Sequence, residues 1–173
     1  MSGSIDVAEP GFRPMLSIGM GIEVFASNWL YCDRLSSYVA RMISHNRTDS
    51  LLYANLLSSA LNELLETINR AHGPEGQLTC RVFRNGPSDL IEFDIPADAA
   101  TWDFFKDAAA LLGREDLAEH YRSALLADGP LDPRIGLFEL AVDYGARISV
   151  ERGADELVRL SAVLSLEGNP ASA

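Results

Sequence analysis

The sequence predicts an α/β (α+β) domain, a two-layer sandwich in which a mixed, mostly antiparallel sheet carries helices on one face. Three observations predict it. Apolar residues recur at every second position in several short runs and at every third or fourth in longer ones. The strand-like runs come mostly as neighbours joined by short turns, which favours hairpins. The chain of 173 residues is long enough to bury one full core, with no linker or repeat to divide it.

The elements follow in order. Residues 16–25 read as a strand, with Ile18, Met20, Ile22 and Val24 alternating with small or polar residues. Asn28 caps a helix with Leu30, Leu35, Val39, Met42 and Ile43 on one face, ending near His45 and Asn46. Asp49 or Ser50 caps a longer helix, 51–71, whose Leu52, Leu56, Leu57, Ala60, Leu61, Leu64, Leu65 and Ile68 fall at helical spacing, and His72-Gly73-Pro74 closes it. Strands 77–84 and 89–95 flank Asn85-Gly86-Pro87-Ser88, a hairpin turn. Asp98 caps a helix over 99–112, with Trp102, Phe105, Ala109 and Leu112 on its apolar side, and Gly113 stops it. A short helix spans 116–126, a loop 128–133, and a further helix 135–144 with Gly145 as its stop. Strands 146–151 and 156–167 finish the order. Residues 1–15 read as a flexible lead, 16–167 as one domain and 168–173 as a flexible tail.

Composition narrows the function. A net charge of −11 repels phosphate backbones and anionic lipid, so neither nucleic acid nor a membrane surface is an expected partner. No apolar run reaches the ~20 residues of a membrane helix, and residues 1–14 lack the pattern of a signal peptide, so a cytoplasmic location is expected by default. Cys32 and Cys80 have no CxxC spacing, and His45, His72 and His120 share no ligand spacing, so neither a disulfide framework nor a metal site is expected. GxSxG is missing, and Gly19-Met20-Gly21 lacks the third glycine of a dinucleotide loop.

Two segments carry a resemblance. Asn62-Glu63-Leu64-Leu65-Glu66-Thr67-Ile68-Asn69 is similar to the N-box helix of the GHKL superfamily, the ATP-binding domain of histidine kinases and anti-sigma-factor serine kinases. Residues 135–150, from Ile135-Gly136-Leu137 through Gly145 to the strand beyond, resemble the helix and strand after its second glycine box. The element order over 16–167 fits, and two small helices in place of a long glycine-rich lid resemble the SiaB-type bacterial kinases. The resemblance implies Glu63 as the catalytic base, Thr67 at the position of the magnesium-holding Asn, Asp94 beside an adenine and Gly136 beside the phosphates. It also implies a STAS-domain partner and a possible homodimer.

The sequence departs from this pattern at the residues that hold nucleotide. Thr67 offers a shorter, weaker magnesium ligand than Asn, and Asn69 stands about 200° round the helix from it. The first glycine box reads Asp94-Ile95-Pro96-Ala97-Asp98, without glycines, and the second has shrunk to Pro133-Arg134-Ile135-Gly136-Leu137. Cofactor use is therefore expected to be absent or limited to weak ATP and magnesium binding. Plainer roles also fit: Glu63 as a solvated helix flank, Thr67 and Gly136 as packing, Asp94 as a turn former. Trp102, Phe104 and Phe105 among acids form a candidate partner interface, or else core. Three functions remain open: a regulatory protein that binds a signalling partner without phosphorylating it, an active serine kinase of a STAS-domain antagonist, or an unrelated α/β binding module.

Overall fold

The computed structural model describes residues 10–28, 30–71 and 75–167. First come β1 (Arg13–Gly21), α1 (Ile22–Ser27), α2 (Leu30–Ser44) and α3 (Ser50–Ala71), then β2 (Gln77–Asn85) and β3 (Ser88–Pro96). Next are α4 (Ala99–Leu112), α5 (Leu117–Leu126) and α6 (Ile135–Val142), and β4 (Arg147–Arg152) and β5 (Leu157–Leu164) follow. The strands lie in the order β1-β2-β3-β5-β4. Every neighbouring pair among them is antiparallel, in keeping with the expected two-layer sandwich and its mostly antiparallel sheet.

The register fixes two chemically different faces, because side chains alternate across a sheet. Ile18, Cys80, Phe93, Leu160 and Val150 are paired in one row across all five strands. They share a core with Leu57, Leu61, Leu64, Leu65 and Ile68 of α3. Each of those buried leucines contributes about 1.5–3 kcal/mol relative to exposure. Adjacent rows face away from the helices and are polar: Ser17, Arg81, Glu92, Ser161 and Ser149, and Gly19, Thr79, Asp94, Arg159 and Glu151. Tyr121, Ile135 and Phe138 form a smaller core between α5 and α6.

The helix signals are met locally. The side chains of Asn28, Asp49 and Asp98 accept from the backbone N–H of Leu30, Leu52 and Thr101 at 3.0, 3.0 and 2.8 Å. Gly145, at φ 64°, takes the left-handed conformation beyond α6. At the first hairpin Gly86 has φ 57° and Pro87 supplies its fixed negative φ, the combination a two-residue turn requires.

Three boundaries differ most from expectation, the first at β1, which begins at Arg13, inside the stretch expected to be a flexible lead, because Arg13 and Pro14 already pair with Arg84 and Phe83. Residues 22–25 are helical, not strand, because Gly21 already pairs with Gln77, the first residue of β2. Ile22 donates instead to the carbonyl of Gly76 at 2.8 Å. The last strand stops at Leu164, opposite Asp89 at the start of β3. Strands end where their partners do. The proposed stop at His72-Gly73-Pro74, the aromatic Trp29, residues 1–9 of the lead and the tail 168–173 lie outside the described residues.

One polar knot ties the layers together. Asp89 is fully buried on the helix side of β3 and accepts four hydrogen bonds, two per oxygen. Arg47 (3.0 Å) and Arg84 Nε (2.7 Å) donate to Oδ1, while the Tyr53 hydroxyl (2.6 Å) and the Arg84 terminal nitrogen (3.0 Å) donate to Oδ2. The two arginines reach on to the carbonyls of Gly86 (2.8 Å) and Ile43 (2.7 Å). Loop, hairpin and helices thus share one saturated carboxylate. Among the described residues no helix is long and apolar enough to cross a membrane.

Candidate functional site

The amphipathic stripe of α3 buries its leucines and leaves Asn62, Glu63 and Glu66 on its flank, partly covered by α6. Gly136, at the start of α6, meets that flank directly. A Cβ at Gly136 would stand 2.5 Å from Glu63 Oε2 and 3.2 Å from Thr67 Oγ1. The structure therefore brings together three of the four residues singled out for nucleotide: Glu63, Thr67 and Gly136. Thr67 is fully buried and its hydroxyl has no hydrogen-bond partner. Asn62 donates to Glu66 at 2.7 Å, and Arg70 donates to the other Glu66 oxygen at 2.8 Å.

Asp94 is not part of this group. Phe93 faces the helices, so Asp94 faces the opposite side of the sheet. There it pairs with Arg81 and, at 2.8 Å, with Arg159. Burial works to raise its pKa, but the hydrogen bonds from Arg159 and Arg81 outweigh it and hold the carboxyl below its ordinary range. The expected adenine contact is corrected to an ion pair on the outer face of the sheet. Beside it Glu92 is fully buried, with Arg81 Nε at 3.5 Å and neither oxygen hydrogen-bonded.

The aromatic trio is also redistributed. Phe105 is fully buried in the main core, and Phe104 packs edge-on against it with ring centroids 5.2 Å apart. Trp102 is half-buried, with the Arg152 guanidinium 5.5 Å above its ring. The exposed three-residue interface expected from the sequence is corrected to one core residue and two half-buried neighbours. The exposed large apolar side chains of α2 are instead Leu30, Tyr31, Tyr38 and Met42, which corrects the expectation that Leu30 and Met42 lie on its apolar face with Val39 and Ile43.

Electrostatics single out Glu63. Burial first, then the charges of Glu139 and Glu66, push its carboxyl up to about 6 against an ordinary 4.5, with Arg70 opposing. Burial and the charges of Asp143 and Glu66 likewise raise Glu139. Glu139 and Asp143 were missed in the sequence, although a spacing of four residues puts Glu139 of α6 and Asp143 at its C-cap on one face.

The raised value has a signed consequence. Between pH 4.5 and about 6 the folded chain holds more of the Glu63 proton than the unfolded chain does. The associated stability is present below about 4.5 and is lost as pH rises through about 6. Because the group is half exposed, solvent screening reduces the effect to about 1 kcal/mol. Glu63→Gln is expected to match the wild type in urea denaturation at pH 4.5 and to exceed it by that amount at pH 8. A constant difference across the window would show that the carboxyl is solvated.

The start of α6 is already hydrogen-bonded within itself. Arg134 N–H donates to Asp132 Oδ1 at 2.9 Å and Ile135 N–H to the Asp132 carbonyl at 3.0 Å. Leu137 and Phe138 donate to the Arg134 carbonyl at 2.9 and 3.3 Å.

No family model matches the sequence, and no curated protein matches it. Among solved structures, the crystal structure of the SiaB–SiaC complex from Pseudomonas aeruginosa matches with a TM-score of 0.59 and 13% identity. The match spans 88% of this chain and 90% of the other. The chain has a SiaB-like fold. At this identity the likeness to SiaB is one of fold, over most of both chains.

Proposed function

We propose that the chain is a regulatory protein of GHKL ancestry that acts by binding a signalling protein of the SiaC or STAS type, with weak or no use of ATP. One observation carries this reading. The backbone N–H groups of Arg134, Ile135, Leu137 and Phe138, which a glycine box would offer to a triphosphate, are satisfied internally. By the resemblance Thr67 takes the place of the magnesium-holding Asn, while Gly136 is pressed against Glu63 and Asp94 is held on the other side of the sheet. A triphosphate would enter beside Glu63, Glu66 and Glu139 without compensation for its charge, which is costly. The SiaB-like fold, taken from a protein complex, supports partner binding.

A second reading, an active serine kinase of a STAS-domain antagonist, draws on Glu63. Its raised carboxyl, largely ionised at pH 7, touches the helix that matches the second box.

Titration calorimetry with a SiaC-type protein, with and without magnesium-ATP, separates the two. The expected result is a complex that forms without nucleotide, and no thermal shift from millimolar magnesium-ATP. A ligand at 100 times its dissociation constant would add about 2.7 kcal/mol, so real binding is easily seen. Micromolar magnesium-ATP binding, with phosphate transfer abolished by Glu63→Ala, would overturn the proposal in favour of the kinase.

A further inference from the structure

A cleft far from α6 carries chemistry that the proposed function does not use. It lies between the end of the β1–β2 ladder and the loop joining α2 to α3, and its volume is about 540 Å³. That is within the range of roughly 300–1,000 Å³ typical of small-ligand pockets. Arg13, Arg47, Arg84, Asn46 and Asn85 line it, along with the backbone at Gly11 and Gly86. In a chain of net charge −11, the described residues of this lining hold three arginines and no acid.

The three arginines are not equivalent. Arg84 is held by the buried Asp89, and Arg47 is shared between Asp89 and Glu167, which is 3.6 Å away. These bonds fix both guanidinium groups. Arg47 is only 6% exposed in its side chain, yet its Nε has no hydrogen-bond partner. Arg13 is exposed, has no ion-pair partner among the described residues, and stands directly across the ladder from Arg84. Asp89 and Glu167 offset the charges of Arg84 and Arg47, so Arg13 is the cation of this lining that no described carboxylate compensates. Asn85 adds an amide whose Nδ2 would be 3.0 Å from a Cβ at Gly11, so the glycine, at φ 92°, lets the amide close one wall.

We infer that this cleft binds an oxyanion, a phosphate or carboxylate group of a small ligand, between Arg13 and the pre-set Arg47–Arg84 pair, with the two asparagines as further donors. Planar guanidinium groups match both oxyanions. A cleft lined by one sign of charge also concentrates the field at its floor. The site is independent of nucleotide binding at α3 and α6, and it makes the loop that Arg47 anchors responsive to a ligand.

The test is an amide-resolved NMR titration at fixed ionic strength with inorganic phosphate, glutarate and chloride. The expected result is saturable shifts at Gly11, Asn46, Asn85 and Gly86 with phosphate or glutarate and none with chloride. Saturation by phosphate alone assigns a phosphate ligand, and saturation by glutarate alone a carboxylate. Arg13→Gln should weaken binding by about tenfold, the size of one charge-assisted hydrogen bond, without disturbing the buried Asp89 knot. Arg13→Lys, which keeps the charge but not the fork, should fall between. No saturation with either oxyanion, or equal binding by Arg13→Gln and wild type, would overturn the inference.

Discussion

Asp89→Ala is expected to destabilise the protein by about 3–5 kcal/mol, because it leaves two arginines buried without their shared carboxylate. At this chain length each kcal/mol shifts Tm by about 2–4 °C, so the loss should be about 6–20 °C. Urea denaturation and a thermal scan both read it. The cost is large because Arg47 and Arg84, 6% and 16% exposed, both lose the carboxylate that neutralises them, and the Tyr53 hydroxyl loses its acceptor as well. Tyr53→Phe, which removes one donor and leaves the ions paired, should cost only about 1 kcal/mol. A loss below 1 kcal/mol for Asp89→Ala would mean that the knot is replaced by solvent and holds nothing together.

Phe105→Ala should cost about 3–5 kcal/mol, the usual price of a cavity left by a fully buried phenyl ring. Phe104→Ser should cost about 1–2 kcal/mol, since Phe104 is only half-buried but contributes an edge-to-face contact. Chemical denaturation of the two variants side by side tests the geometry of α4. Equal losses would place both rings in the core, and a larger loss for Phe104 would reverse their assignment.

That pair shows where the sequence was readable and where it was not. The helical period identified α4, but two stripes were available on it, and the larger side chain of Trp102 drew the choice. The structure buries Phe105 as expected, but beside Thr101 and Ala108 rather than Ala109 and Leu112, and leaves Trp102 at the rim beneath Arg152. The stripe of α3 had no such rival and was legible, as were the caps Asn28, Asp49 and Asp98.

Within the candidate site, Glu63 and Thr67 lie four apart on one helix, so their common face followed from spacing alone. Gly136 joins them across 69 or more positions, and only the resemblance pointed there. Asp94 is the opposite case. The alternation of Ile91, Phe93 and Ile95 already set it on the other side of the sheet, and the resemblance obscured that. Its partner Arg159 lies 65 residues along the chain, beyond the reach of local pattern.

The strand order has a consequence for synthesis. β3 is the middle strand, and its edge toward β2 closes through a two-residue turn as soon as both emerge from the ribosome. Its other edge waits for β5, since Asp94 meets Arg159 only 65 residues later. At about 5–20 residues per second the nascent chain carries that open, apolar edge for roughly 3 to 13 seconds. Unpaired edges of this kind recruit other strands, so α4, α5 and α6, made during the interval, are the elements available to shield it until the last hairpin arrives.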